Sequence, residues 1–97
     1  MSIFSLFKPK QQPSLFSGGN GDSFESAVVI NADNSDIGVQ AEYDYIASQC
    51  GKPQRDWKAQ KQGLQKHDGK PYDVLAIVLS DGHLRTFYFD IASFFGK

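Results

Sequence analysis

The amino-acid sequence predicts an α+β domain of order β-α-β-β-β, with one helix packed on one face of a small antiparallel sheet. Three observations carry this reading. One stretch has helical apolar spacing between cap-forming and helix-ending residues, a short β-branched run precedes it, and two long strand-like runs flank an Asp-Gly pair after it.

The first strand is expected in Ala27-Val-Val-Ile-Asn-Ala32, β-branched and bounded by turn formers. The cluster Asp33-Asn-Ser-Asp36 follows, and Ser35 or Asp36 is the expected helix N-cap. Val39, Tyr43, Ile46, Ala47 and Cys50 then recur at helical spacing as one apolar stripe, with Gln40, Asp44 and Ser48 on a polar row. Gly51 supplies a C-terminal stop, and Pro53 prevents continuation. Pro71–Ser80 and His83–Ile91 read as two strands joined at Asp81-Gly82. Trp57–Lys66 ends before a second Asp-Gly turn, at Asp68-Gly69, so it reads as a third strand of the same meander. Its Lys, Ala and Gln content favours a helix, which defines the alternative order β-α-α-β-β. Gly63 inside such a helix would cost about 1 kcal/mol relative to alanine.

With 97 residues the chain suffices for one domain and not for two. Hydrophobic residues make up 40% and charged residues 22%, enough apolar material for a core and too little charge for a disordered chain. The prolines of the first 23 residues and the run Ser17-Gly-Gly-Asn-Gly-Asp22 read as a flexible N-terminal tail, which places the α+β domain at 24–97. No run approaches the ~20 apolar residues of a membrane span, and the N-terminus lacks the pattern of a signal peptide. Cys50 is the single cysteine, so no internal disulfide forms, and a soluble, cytoplasmic protein is expected. Ile3, Phe4, Leu6 and Phe7 followed by Lys8 and Lys10 are too few to anchor on a membrane surface and read as a disordered or docking tail.

Hairpin register decides what the second sheet face carries. A two-residue Asp81-Gly82 turn opposes Asp73 to Asp90; a three-residue Ser80-Asp81-Gly82 loop with a glycine bulge opposes Leu79 to His83. The bulged register gathers Leu75, Ile77, Leu79, Phe87, Phe89 and Ile91 on one face for the helix to cover, and is preferred for that reason. The other face then holds Tyr72, Val74, Ala76, Val78, Leu84, Thr86 and Tyr88, too apolar to be left in water. The N-terminal arm, the Phe94-Phe95 tail or another protein chain is expected to cover it.

The residue types that carry chemistry are sparse. Asp73 and Asp90 are the one pair suited to acid–base work, and only in the less favoured register. Cys50 lies on the apolar helix stripe with no helix N-terminus or cation beside it in sequence, and reads as packing. His67 and His83 fall in or beside turns without zinc-site spacing, and neither a phosphate-binding glycine loop nor a nucleophile elbow is present. No metal or cofactor is implied.

Charge is unevenly distributed although its net value is −1. Gln11 to Gly51 contains no Lys or Arg but carries Asp22, Glu25, Asp33, Asp36, Glu42 and Asp44. Lys52, Arg55, Lys58, Lys61, Lys66 and Lys70 then outnumber Asp56 and Asp68, a balance of +4. With the alternating aromatics of Arg85–Ile91 this basic segment suggests a nucleic-acid binder. The ranking is therefore a non-enzymatic protein-interaction module using Tyr72, Val74, Val78, Leu84 and Tyr88, with a protein partner or itself, ahead of a nucleic-acid binder and an enzyme built on Asp73 and Asp90.

Overall fold

A computed structural model describes residues 15–97. Its elements are β1 (Phe16–Gly18), β2 (Val28–Ile30), α1 (Ser35–Cys50), β3 (Trp57–His67), β4 (Lys70–Leu79) and β5 (Leu84–Asp90). The five strands form one sheet in the order β1-β2-β5-β4-β3. The β-α-β-β-β order is borne out from β2 onward, and Trp57–His67 is a strand, not a second helix. The sheet is mixed, not purely antiparallel: β2 runs parallel to β5, pairing Val28 with Phe89 and Val29 with Asp90. It also begins earlier than the composition suggests. Phe16–Gly18 pairs antiparallel with β2 inside the segment expected to be a tail, because glycines at 18 and 19 permit a contact that a side chain would block. At Gly18, φ is +83°, and a Cβ there would sit 2.9 Å from the Ala27 carbonyl oxygen.

The second hairpin takes the bulged register. Leu79 N–H donates to the His83 carbonyl, Gly82 N–H donates to the Leu79 carbonyl, and Gly82 has φ +91°. Asp73 therefore lies opposite Phe89, and Leu75 opposite Phe87. At the other hairpin Asp68 and Gly69, both at positive φ, make the two-residue turn between His67 and Lys70. A bulge at Gln60, between Ala59 and Lys61, bends the exposed edge strand β3.

The core lies between the sheet and α1, with Val28, Ile30, Ile46, Leu75, Ile77, Phe87 and Phe89 fully buried. The helix is turned away from its expected stripe. Its buried residues are Gly38, Ala41, Glu42 and Ile46, whereas Val39 is exposed and Tyr43 and Cys50 only half-buried. Close approach accompanies the rotation: a Cβ on Gly38 would fall within 2.6 Å of the Phe94 ring, so the helix residue that meets Phe94 is the one without a side chain. The N-cap is Asn34, not Ser35 or Asp36; its Oδ1 accepts from Ile37 N–H at 2.9 Å.

Phe94 is buried against the helix, and Ser93 fixes this C-terminal turn to β2 by donating to the Ile30 carbonyl and accepting from Ala32 N–H. The Phe94-Phe95 tail is thus on the helix side and does not cover the second sheet face. Ile3, Phe4, Leu6, Phe7, Lys8 and Lys10 lie outside the described residues.

Candidate interaction surface

On the sheet face remote from α1, strands β3, β4 and β5 stack their side chains in four cross-strand rows. These are Lys58–Val78–Leu84, Lys61–Ala76–Thr86, Gly63–Val74–Tyr88 and Gln65–Tyr72–Asp90. All five apolar residues expected on this face are therefore brought together, because strand alternation puts the even-numbered residues of β4 on one side and the bulged turn aligns the even-numbered residues of β5 with them. The rows differ in cover. Tyr72 and Asp90 are buried, Val74, Val78 and Tyr88 are half-buried, and Leu84 is 65% exposed.

What covers the Tyr72 end is a residue that the sequence reading missed. Phe24, from the connection between β1 and β2, packs edge-on against Tyr72 and Tyr88 at centroid distances of 5.0 and 4.8 Å and stacks flat on His67 at 4.2 Å. Lying just after a glycine-rich run, it carried no periodic signal. The Val78–Leu84 end has no such lid among the described residues.

Beside Phe24 is a cleft of about 370 Å³ walled by Glu25, His67, Lys70, Tyr72 and Asp90. Its charges are mutually engaged. Lys70 Nζ lies 3.2 Å from Asp90 Oδ2, and Asp90 Oδ1 accepts from Ala92 N–H at 3.0 Å. The bond and charge of Asp90 raise the Lys70 ammonium above its ordinary pKa. His67 Nε2 stands 3.5 Å from Asp68 and 3.8 Å from Glu25.

Asp73 and Asp90 do not form a pair. The register places them on opposite faces, Asp90 with Lys70 and Asp73 on the helix side, so the acid–base site built on their opposition has no geometry. Asp73 instead neighbours Glu42 of α1. Glu42 is 0% exposed, and neither of its carboxyl oxygens has a hydrogen-bond partner. Burial first, and then the Asp73 carboxyl beside it, push its pKa up from 4.5 to about 10, so Glu42 is protonated at neutral pH. The sequence placed this residue off the apolar stripe, and only the rotation of the helix buries it.

The basic segment does not share one face. Lys58 and Lys61 stand on the open sheet face, Lys66 lies on the helix-side register with its Nζ 5.4 Å from the Phe95 ring, and Lys52 is exposed just beyond the helix. Arg55 is 2.9 Å from Asp56, and Lys70 is engaged by Asp90. Cys50 is half-buried and, unlike its sequence neighbourhood, its spatial one includes a cation: Arg85 Nη1 is 3.8 Å from its Sγ. His83 is exposed, its Nδ1 2.9 Å from Asp81. Among the described residues no group of three His, Cys, Asp or Glu side chains is placed to hold a metal ion, and no helix is long and apolar enough to cross a membrane.

Comparison of the chain with protein-family models, curated proteins and solved structures finds no match.

Proposed function

We propose that this chain is a non-enzymatic protein-interaction module that binds a partner protein through the sheet face remote from α1. One observation carries the reading. The two faces of a single sheet are treated differently: Leu75, Ile77, Phe87 and Phe89 are fully buried on one, while Val74, Val78 and Leu84 stay in contact with solvent on the other. Lys58 and Lys61 stand in the rows of Val78 and Ala76, no acid stands in those rows, and the exposed Asp81 of the adjoining turn is engaged by His83. An apolar partner surface bearing carboxylates complements this face. A cytoplasmic address is part of the same proposal.

The nucleic-acid reading is weaker, because only Lys58 and Lys61 of the six basic residues offer unengaged charge on one face. An electrostatic footprint of two lysines is small against the six or more phosphate contacts of ordinary binders.

A face kept open for a partner contributes little to folding. Leu84→Thr and Val78→Thr, which keep strand propensity, are each expected to change stability by no more than about 0.5 kcal/mol. Ile77→Thr on the packed face is expected to cost about 2–4 kcal/mol. Urea denaturation followed by Trp57 fluorescence reads all three. A loss at Val78 or Leu84 as large as at Ile77 would mean that the face is internally packed, and the interaction reading would fail.

A further inference from the structure

We propose that the partner is a second copy of this chain, bound head to tail: the open sheet face of one copy docks on the outer side of α1 in the next. The inference rests on the sheet-face reading above and adds the identity of the occupant. It starts from the charges at the two halves of the contact. Helix α1 contains no Lys or Arg and carries Asp36 and Asp44 exposed, with Lys97 in the neighbouring cleft, while the rows at the open end of the sheet face carry Lys58 and Lys61 and no acid.

The shapes complement as the charges do. Beside the N-terminal half of α1 a groove of about 390 Å³ is lined by Leu15, Asp36, Ile37, Gln40, Ala41 and Asp44. Leu15 is 39% and Ile37 44% exposed, an apolar floor left in water, with Asp36 and Asp44 on its rim. Gln40 Nε2 donates to Asp44 Oδ1 at 2.9 Å and orients that carboxylate. On the sheet side Leu84 stands at the hairpin tip in one row with Val78 and Lys58, and Lys61 lies in the next row. An apolar knob flanked by two cations thus faces an apolar groove flanked by two anions.

A symmetric sheet-to-sheet dimer is disfavoured, because it would place four lysines, Lys58 and Lys61 of both copies, in one interface whose rows at that end carry no acid. Knob and groove lie on different layers of one chain, so each copy offers both halves of the contact, and assembly continues past a dimer or closes into a ring.

The test uses the full chain and two surface variants, Leu84→Asp and Ile37→Asp, each checked for folding by circular dichroism. Light scattering after size exclusion is run from micromolar to near-millimolar concentration. The wild-type chain is expected to gain mass with concentration, past a dimer and less so at high salt. Each variant alone is expected to remain a monomer. Their equimolar mixture is expected to stop at a one-to-one dimer, since Ile37→Asp still offers a sheet face and Leu84→Asp still offers a groove. A wild-type monomer at every concentration overturns the proposal, as does self-association of Ile37→Asp alone. Neither outcome bears on the stability test at Val78 and Leu84, so the sheet-face reading stands or falls separately.

Discussion

Replacing Glu42 with methionine is expected to stabilise the chain at about pH 8 by about 3 kcal/mol and to flatten its dependence on pH. In the unfolded chain Glu42 ionises near 4.5, and in the folded chain it keeps its proton up to about 10. Below pH 4.5 both states hold the proton, and the stability is fully present. Between those two values the unfolded state alone releases it, so stability falls as pH rises, at about 1.4 kcal/mol per pH unit. Above the folded pKa both states are ionised and nothing further is lost. The full linkage up to about pH 8 is on the order of 5 kcal/mol, and repacking and water entry around the acid reduce the part that a measurement reads. Methionine fits because it is close to glutamate in length and needs no hydrogen bond where the two carboxyl oxygens have none. Urea midpoints between about pH 5 and pH 9 check this: the wild-type midpoint should drop across the range and that of Glu42→Met should not. Equal slopes would mean that Glu42 ionises freely and is not held in the core.

Trp57→Ala is expected to cost about 4 kcal/mol, a large share of the stability of a domain this size. Trp57 opens β3 at 2% exposure and joins three elements there. Its Nε1–H donates to the Gly51 carbonyl at the end of α1 at 2.8 Å, its ring lies 5.8 Å from that of Tyr43, and its backbone pairs with Leu79 of β4. Alanine leaves a cavity and a helix-end carbonyl without its donor. Trp57→Phe keeps most of the volume and is expected to cost about 1–2 kcal/mol, the share owed to the hydrogen bond and the lost ring. Chemical denaturation followed by circular dichroism measures both. A loss of less than 1 kcal/mol for Trp57→Ala would show that β3 is docked on the helix end by other contacts.

The sequence made the long hairpin legible because two independent signals agreed there. Asp81-Gly82 allowed two registers, and only the bulged one collected Leu75, Ile77, Phe87 and Phe89 on a single face. Burial of that face selects the register, and the composition of the opposite face follows from strand alternation. Trp57–His67 was legible despite its helix-favouring lysines and glutamines because it is tied to β4 through the Asp68-Gly69 turn, so pairing overrode propensity. Elements defined by a few long-range contacts were not legible. β1 is three residues in a glycine-rich run, and its partner β2 meets β5 through only two residue pairs, which no local pattern announces. The helix misled for a different reason. Its apolar residues are spread around the cylinder, and the buried side is the one where Gly38 lets the Phe94 ring approach, which carries Ala41 and Glu42 inside. The candidate surface was therefore foreseen in its residues, since they follow from the register. Its lid at Phe24 and the separation of Asp73 from Asp90 depended on tertiary placement.

The central claim is that Val74, Val78 and Leu84 form an uncovered surface in the single chain. Methyl-resolved NMR of the dilute full chain with a soluble nitroxide tests it most directly, because the radical broadens only the methyl groups that it can approach. Strong broadening is expected at Leu84 and Val78, weaker broadening at half-buried Val74, whose cross-strand neighbour Tyr88 packs on Phe24, and none at Leu75 or Ile77. Protection of Leu84 and Val78 equal to that of Leu75 and Ile77 would contradict the claim, since the face would then already be filled by the chain itself.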